Sequence, residues 1–114
     1  MAATYDFEIE QGANLILSFV WKDSAGSLID LTGYTARMQI RKTKSTSATL
    51  LSITTSDYIT LGGAAGTIAV DVPAATTEAL DFTSGVYDLE LISSGGTVYR
   101  FLEGCVELNK EVTR

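Results

Sequence analysis

The amino-acid sequence predicts an all-β domain, an antiparallel β-sandwich of the Ig-like or Greek-key type with about seven to eight strands. Apolar and polar residues alternate with a period of two along most of the chain, which is typical of strands with one buried face. Short clusters of Gly, Ser and Asn separate these runs. Helical spacing is confined to one segment, and no repeat divides the 114 residues, so a single domain over residues 1–114 is expected.

Alternation in the first half of the chain predicts five strands. Residues 5–10 form the first, and the Gln-Gly-Ala-Asn run at 11–14 is typical of a hairpin loop. Residues 15–21 are apolar on both faces, which predicts a central strand. Residues 34–41 alternate most clearly, with Tyr34, Ala36, Met38 and Ile40 facing inward. Shorter strands are expected at residues 50–53 and 58–61.

The second half predicts three strands and one helical crossover. Residues 67–72 alternate until Pro73, which ends the strand and can open a helix. The crossover near 74–80 is too short to be stable alone, so it should pack through Ala79 and Leu80. Residues 85–91 form the next strand, and the Ser-Ser-Gly-Gly run at 93–96 predicts a hairpin. The last strand runs from 97 to 108, with a bulge expected at Gly104.

The inward positions of these strands define the expected core. Cys105 should pack there as a small hydrophobic residue, because without a histidine or a clear basic neighbour nothing activates its thiol. The predicted core residues are Phe7, Leu17, Phe19, Trp21, Met38, Ile40, Ile68, Val70, Tyr87 and Leu89.

Composition excludes several functions. The chain carries 8 Lys and Arg against 14 Asp and Glu, a formal charge of −6, and it has no histidine. Without histidine it cannot build a Ser-His-Asp site or a Cys/His zinc cluster. Its acidity disfavours nucleic acid, whose binding depends on Lys and Arg contacts. No apolar run approaches the ~18 residues of a membrane span and no signal peptide is visible, so we expect no membrane partner and synthesis in a cytoplasm.

Motifs for catalysis or cofactors are weak. Paired carboxylates on outward strand positions could serve a glycosidase, but a solvated outer face explains them better. The acidic turn at 23–30 lacks the calcium-loop spacing, and the glycine run at 62–66 leads into a strand rather than a helix. We therefore expect a non-enzymatic protein without a cofactor or metal.

One basic cluster interrupts the acidic chain between residues 37 and 44. An acidic face on one copy could meet this basic edge on the next, although a charged rim that maintains solubility is an equal alternative. The possible assembly surface comprises Arg37, Gln39, Arg41, Lys42, Lys44, Glu8, Glu10, Asp88 and Glu90.

Tyrosines offer a second possibility, a stacking surface for glycans. Most of the five occupy inward positions, where filling the core is the simpler explanation. Tyr58 and Tyr99 are the two whose face the pattern does not decide.

The Asp-Leu-Thr-Gly turn at residues 30–33 follows a Trp-containing strand. Asp30 and Thr32 can bond neighbouring backbone groups there, and Gly33 permits the chain to reverse. With the segments 9–12, 17–26, 29–41, 59–68 and 85–91, this turn resembles small tailed-bacteriophage and prophage virion proteins. The chain is also similar to the N-terminal module of phage upper-baseplate proteins that carry receptor-binding proteins.

That resemblance implies a virion structural protein, made in the host cytoplasm, that assembles as a homo-oligomer and with other virion proteins. Attachment at the tail, baseplate or fibre is expected first, and capsid decoration or head-tail joining second. The baseplate proteins carry long C-terminal extensions that this chain lacks, which favours a compact adaptor over a receptor-binding role. A stand-alone glycan-binding module is the remaining alternative.

Overall fold

The computed structural model describes residues 3–112, which form nine strands, one short helix and one 3-10 turn. The strands are β1 (Ala3–Thr4), β2 (Phe7–Glu10), β3 (Leu15–Val20), β4 (Thr35–Arg41), β5 (Leu51–Thr54), β6 (Ile59–Leu61), β7 (Thr67–Val72), β8 (Ser84–Ile92) and β9 (Val98–Asn109). The helix α1 spans Ala74–Glu78, and the 3-10 turn spans Gly63–Ala65.

Two sheets pack face to face. The larger has six strands in the order β1-β9-β8-β4-β5, with β2 also paired to β9, and the smaller has the order β3-β7-β6. A sheet containing β9, β8, β4 and β5 packed on the three-stranded sheet of β3, β7 and β6 is the architecture of an immunoglobulin-like sandwich. The predicted Ig-like β-sandwich is therefore confirmed.

A single apolar core fills the space between the sheets. Met38 and Ile40 on β4 and Leu89 on β8 face Ile68 and Val70 on β7, and all five are almost fully buried. These positions follow the alternation, because every second side chain of a strand points to the same face. Their predicted core placement is confirmed, as is that of Tyr87.

Four predicted core residues are only half-buried. Phe7, Leu17, Phe19 and Trp21 pack against the core from its margin, at the side of the sandwich where β3 is the outermost strand of its sheet. Trp21 contacts a group of aromatic rings there, with its centroid 5.4 Å from that of Tyr99. The core is therefore aliphatic at its centre and aromatic at this margin.

The amino-terminal strands differ from the expected hairpin. Both β1 and β2 pair in parallel with β9, with Ala3 opposite Leu102 and Ile9 opposite Leu108. Residues 11–14 consequently carry the chain from one sheet to the other and do not close a hairpin. The larger sheet is mixed, because β1 and β2 run parallel to β9 whereas β8 runs antiparallel to it.

Strand β3 was expected to be central and is instead an edge. Among residues 3–112 it pairs only with β7, from Leu15 opposite Val72 to Val20 opposite Thr67. Its outward side chains include Ile16, which is 68% exposed. The prediction was wrong because apolar residues on both faces are normally read as two covered faces, whereas here one face is open.

The helical crossover is shorter than predicted and packs through a different residue. Within α1 it is Thr77 that is fully buried, while Ala79 beyond the helix is exposed and Leu80 is buried as expected. The Thr77 hydroxyl donates to the Ala13 carbonyl at 2.7 Å and accepts from the Gly12 amide at 3.1 Å. A hydroxyl therefore ties the crossover to the turn at 11–14.

The bulge in β9 lies at Phe101 and not at Gly104. Glu90 pairs with Arg100 and Leu89 with Leu102, so Phe101 is the extra residue. The backbone of Tyr5 crosses Gly104 so closely that a side chain there would collide with its carbonyl oxygen. Cys105 points outward and is exposed, contrary to the expected packing in the core.

Candidate assembly surface

The outer face of the larger sheet carries a dense group of charges around a depression of about 380 Å³. This group, called the charged face below, combines residues of β4, β8 and β9 with one lysine from the loop after β4. Its members are Arg37, Gln39, Arg41, Lys44, Asp88, Glu90, Arg100 and Glu103.

Strand register produces the charged face. Residues directly opposite each other on paired strands share a face, so outward residues of β4 meet outward residues of β8. Arg37 lies opposite Glu90, and Gln39 opposite Asp88. On the other side of β8, Asp88 lies opposite Glu103. Cations of β4 and acids of β8 and β9 are thereby interleaved within one chain.

Ion pairs connect these strands. The Nε atom of Arg37 lies 2.7 Å from Oε1 of Glu90. Arg100 lies between two acids, with Nε 3.7 Å from Asp88 and Nη1 3.8 Å from Glu103, while the Lys44 ammonium lies 3.7 Å from Glu103. Because the cations remain about half exposed or more, these pairs organise the surface more than they stabilise the fold.

Arg41 holds the loop at the rim of the depression. Its guanidinium donates to the Gln39 side-chain oxygen and to the Thr46 carbonyl, each at 2.8 Å, and also to the Ser47 carbonyl. The planar fork of arginine suits several acceptors at once. Arg41 therefore fixes the loop that carries Lys44.

The electrostatic centre of the charged face is Asp88. Partial burial raises the pKa of its carboxyl group, and the neighbouring negative charge of Glu90 raises it further. The Arg100 guanidinium opposes this change and holds the pKa down.

Several predicted assembly residues lie outside this group. Lys42 is exposed in the loop and does not line the depression. Glu8 and Glu10 are exposed on β2, where Glu8 stands opposite Glu107 on β9. The basic cluster was expected to form an edge, and this placement is wrong, because β4 is an interior strand paired on both sides. The role of these residues in assembly stays a prediction.

Arg100 and Glu103 were missed by the sequence reasoning. The hairpin at 93–96 places Ile92 opposite Val98, and counting back along both strands brings Glu90 opposite Arg100. This signal was available in the sequence. The pairing of Asp88 with Glu103 depends on the bulge at Phe101, whose signal is the adjacent apolar pair Phe101 and Leu102.

The predicted structural turn is confirmed. Oδ1 of Asp30 accepts from the backbone amide of Thr32 at 2.9 Å and from its hydroxyl at 2.6 Å. These two hydrogen bonds, the hydroxyl first, lower the pKa of Asp30. Gly33 has a φ of 81°, which other residues adopt only with strain.

The two tyrosines of unassigned face do not form one platform. Each is 40% exposed. Tyr99 packs beside Trp21. The backbone amide of Trp21 donates to the Gly66 carbonyl, so both rings lie near the start of β7. Tyr58 accepts at its carbonyl from Asp71 near the other end of β7. Tyr99 and Tyr58 therefore lie at opposite ends of the sandwich.

Within residues 3–112, no group of three or more Cys, Asp or Glu side chains is placed to hold a metal ion. No helix in the same range is long and apolar enough to cross a membrane.

No family model and no curated protein matches the chain. Among solved structures, it is similar to the extracellular domain of the voltage-gated sodium channel beta4 subunit, described as a parallel homodimer with a role in cell-cell adhesion. The TM-score is 0.49 at 12% identity, over 98% of this chain and 96% of that chain. A structure described by the multimeric cell-adhesive interactions of sodium channel beta subunits gives a TM-score of 0.48 at 13% identity, over 95% and 92% of the two chains. Tim-1 gives 0.43 at 12% identity, over 100% and 99%.

Proposed function

We propose that this chain is a non-enzymatic structural subunit of a tailed-bacteriophage virion, attached at the tail, baseplate or fibre. It would assemble there with copies of itself and with other virion proteins. The observation that carries this proposal is the sequence resemblance to phage and prophage virion proteins, which extends over most of the chain between residues 9 and 91.

The turn at residues 30–33 supports this use of the resemblance. It is the most distinctive shared segment, and its side chains bond the backbone of the turn itself. The Leu31 amide also donates to the Gly63 carbonyl at 2.9 Å, which ties the turn to the loop before β7. The shared residues therefore specify a scaffold, as a structural subunit requires.

The charged face supplies a docking surface suited to such a subunit. Arg37 and Arg100 keep about half of their side-chain surface exposed while paired within the chain. A surface of both signs favours one orientation of a complementary partner, because a shifted register brings like charges together. Capsid decoration or head-tail joining would use the same surface and remains the second location.

Purified virions provide the test. Quantitative mass spectrometry of gradient-purified particles, compared with the host lysate, should show this chain enriched together with the known structural proteins. Absence of the chain from particles would contradict the proposal.

The docking role of the charged face has its own matched pair of variants. Arg37→Glu should reduce incorporation into particles, because it places a negative charge beside Glu90. Thr60→Glu, on the exposed outer face of the smaller sheet, introduces the same charge elsewhere and should leave incorporation unchanged. Circular dichroism of both isolated chains would confirm that each is folded.

A further inference from the structure

Strand β3 is an unprotected sheet edge within the described residues. Its six residues, Leu15–Val20, carry no charge and no proline. The other free edges are shorter or charged: β6 has three residues, β5 has four, and β2 carries two glutamates. Proteins usually protect long edge strands with charges, prolines or bulges, because unpaired backbone groups attract another strand.

The backbone of β3 offers its hydrogen-bonding groups in alternation. The Trp21 amide donates to the Gly66 carbonyl at 2.8 Å, which sets the phase of pairing with β7. In an antiparallel ladder, both backbone groups of a residue point to the same side. Odd-numbered residues of β3 therefore bond β7, while Ile16, Ser18 and Val20 direct their amides and carbonyls to the open edge.

The side chains of those same residues are apolar or small and exposed. Ile16 is 68% exposed and Val20 is 47% exposed, on the outer face of the smaller sheet. Ser18 lies between them and is also exposed. Val20 also lines a shallow groove together with Val98 and the charged side chains of Lys22 and Arg100. Ile16 and Val20 thus stand symmetrically on either side of Ser18.

We infer that two copies of this chain pair through β3, antiparallel, about a two-fold axis at Ser18. Ile16 of each copy then opposes Val20 of the other, and Ser18 opposes Ser18. The two three-stranded sheets become one continuous six-stranded sheet across the axis.

A second copy fits this edge because the strand is complementary to itself. A two-fold interface requires that the same segment face itself in reverse, and the order Ile16, Ser18, Val20 reads almost the same in both directions. Because no residue from Leu15 to Val20 is charged, the formal charge of −6 on each copy places no like charges opposite one another in the paired strands. The three residues also match in hydrogen-bonding phase, since all three present both backbone groups.

This interface is separate from the charged face and does not depend on the proposed virion role. A phage particle could contain the chain without this dimer, and the dimer could form in a protein with another role. The dimer is therefore tested with the purified 114-residue chain alone.

Sedimentation of the 114-residue chain gives the first test. The wild-type protein should sediment at twice its 12.2 kDa mass, and the dimer should persist when salt is raised because the strands pair without charges. Ser18→Lys should halve the measured mass, since it places two ammonium groups opposite each other at the axis. Thr60→Lys carries the same charge on β6, which is separated from β3 by β7, and should remain dimeric.

A cross-linking test reads the geometry directly. Hydrogen-bonded residues opposite each other in an antiparallel pair have Cα atoms about 5.5 Å apart. Their Cβ atoms lie at the wide end of about 4.5–5.5 Å, beyond the range of about 3.5–4.5 Å that a disulfide needs, so a short bis-maleimide is the suitable cross-linker. In a Cys105→Ser background, which removes the exposed native thiol, Ser18→Cys should form a covalent dimer with this reagent. Thr60→Cys in the same background should form no covalent dimer.

A wild-type chain that sediments as a monomer, together with no more Ser18→Cys cross-linking than Thr60→Cys, would overturn the inference. In that case the edge would be left for a strand of another protein. A dimer that survives Ser18→Lys would overturn it as well, because the interface would then lie elsewhere.

Discussion

Asp30 and Asp88 carry the same carboxyl group in opposite electrostatic settings. Hydrogen bonds from Thr32 to the Asp30 carboxylate favour the charged form and lower its pKa. Burial of Asp88, followed by the charge of Glu90, disfavours the charged form and raises its pKa. The two residues should therefore titrate on opposite sides of the ordinary value of 3.8.

NMR titration of the side-chain carboxyl carbons checks this prediction. Asp30 should ionise at a lower pH than Asp88. Thr32→Val, which removes the hydroxyl donor, should raise the pKa of Asp30 and leave that of Asp88 unchanged. Equal pKa values for the two carboxyl groups in the wild-type protein would contradict the described settings.

The same shifts give opposite pH dependences of stability. The contribution of Asp30 is present above its unfolded pKa and is lost as the pH falls through its lowered folded pKa. The contribution of Asp88 is full below its unfolded pKa and is lost as the pH rises through its raised folded pKa. Between neutral and acid pH, the two residues therefore act on folding in opposite senses.

The link between β1 and β2 limits which residue can stand at position 104 of β9, where the chain has Gly104. Its Cβ would lie 2.7 Å from Oδ1 of Asp6 and even closer to the Tyr5 backbone, in the link between β1 and β2. Tyr87, which lies opposite Gly104 on β8, donates its hydroxyl to the same Tyr5 carbonyl. This bond and the burial of the ring tie the amino-terminal strands to β8.

Gly104→Ala should destabilise the fold by about 1–3 kcal/mol, the range for overpacking a close contact. Gly95→Ala is the matched control, because the nearest atom to its Cβ would be the Ser93 hydroxyl oxygen at 3.9 Å. We expect that change to stay within about 0.5 kcal/mol. Urea unfolding of both variants measures the difference, and equal stabilities would show that β1 moves away from Gly104 without cost.

Alternation predicted elements well where one face is buried and the other solvated. In β4 and β8 the polar positions point outward, so Met38 and Leu89 could be assigned to the core from the sequence. Alternation failed to predict the place of β3 in its sheet, because an apolar residue such as Ile16 gives the same sequence pattern whether its face is exposed or covered. The partner of β2 was also hidden, because a parallel pairing with the distant β9 leaves no local turn signal.

At the scale of the whole molecule, the two sheets should unfold together. They share one aliphatic core, to which β4 contributes Met38 and β7 contributes Val70. Neither sheet can keep its buried face covered without the other, and small domains of this kind usually unfold in one transition. The fold is therefore expected to have one stability and not one for each sheet.

Two probes check this expectation. Fluorescence of the single Trp21 reports on the aromatic margin, and far-ultraviolet circular dichroism reports on both sheets. Their urea transitions should coincide in the wild-type chain. Met38→Ala and Val70→Ala, one in each sheet, should each shift both probes to the same lower midpoint. Separate midpoints in any of these proteins would contradict a shared core.

Only part of the charged face could be predicted from the sequence, because its ion pairs depend on the order of the strands in the whole molecule. Arg37 and Arg41 were recognised as a basic cluster from neighbouring positions in the sequence. Their acidic partner Glu90 lies 53 residues from Arg37, so the ion pair depends on the tertiary order of the strands. A local pattern predicts which side chains face solvent, whereas strand order decides which of them meet.

The bulge at Phe101 changes which residues of the last strand, odd-numbered or even-numbered, face the core. Before it, the odd-numbered Tyr99 pairs with the buried Leu91, and after it the even-numbered Leu102, Val106 and Leu108 are buried. Deleting this one residue would leave Tyr99 and Leu102 on the same face with Arg100 between them, so β9 would pair with β8 in unbroken alternation and lose only the bulge and the Phe101 ring. A deletion farther along the strand, at Cys105 for example, would instead turn the residues on one side of it over to the opposite face. The bulge is therefore a place where the length of β9 can change with little disturbance of its two faces.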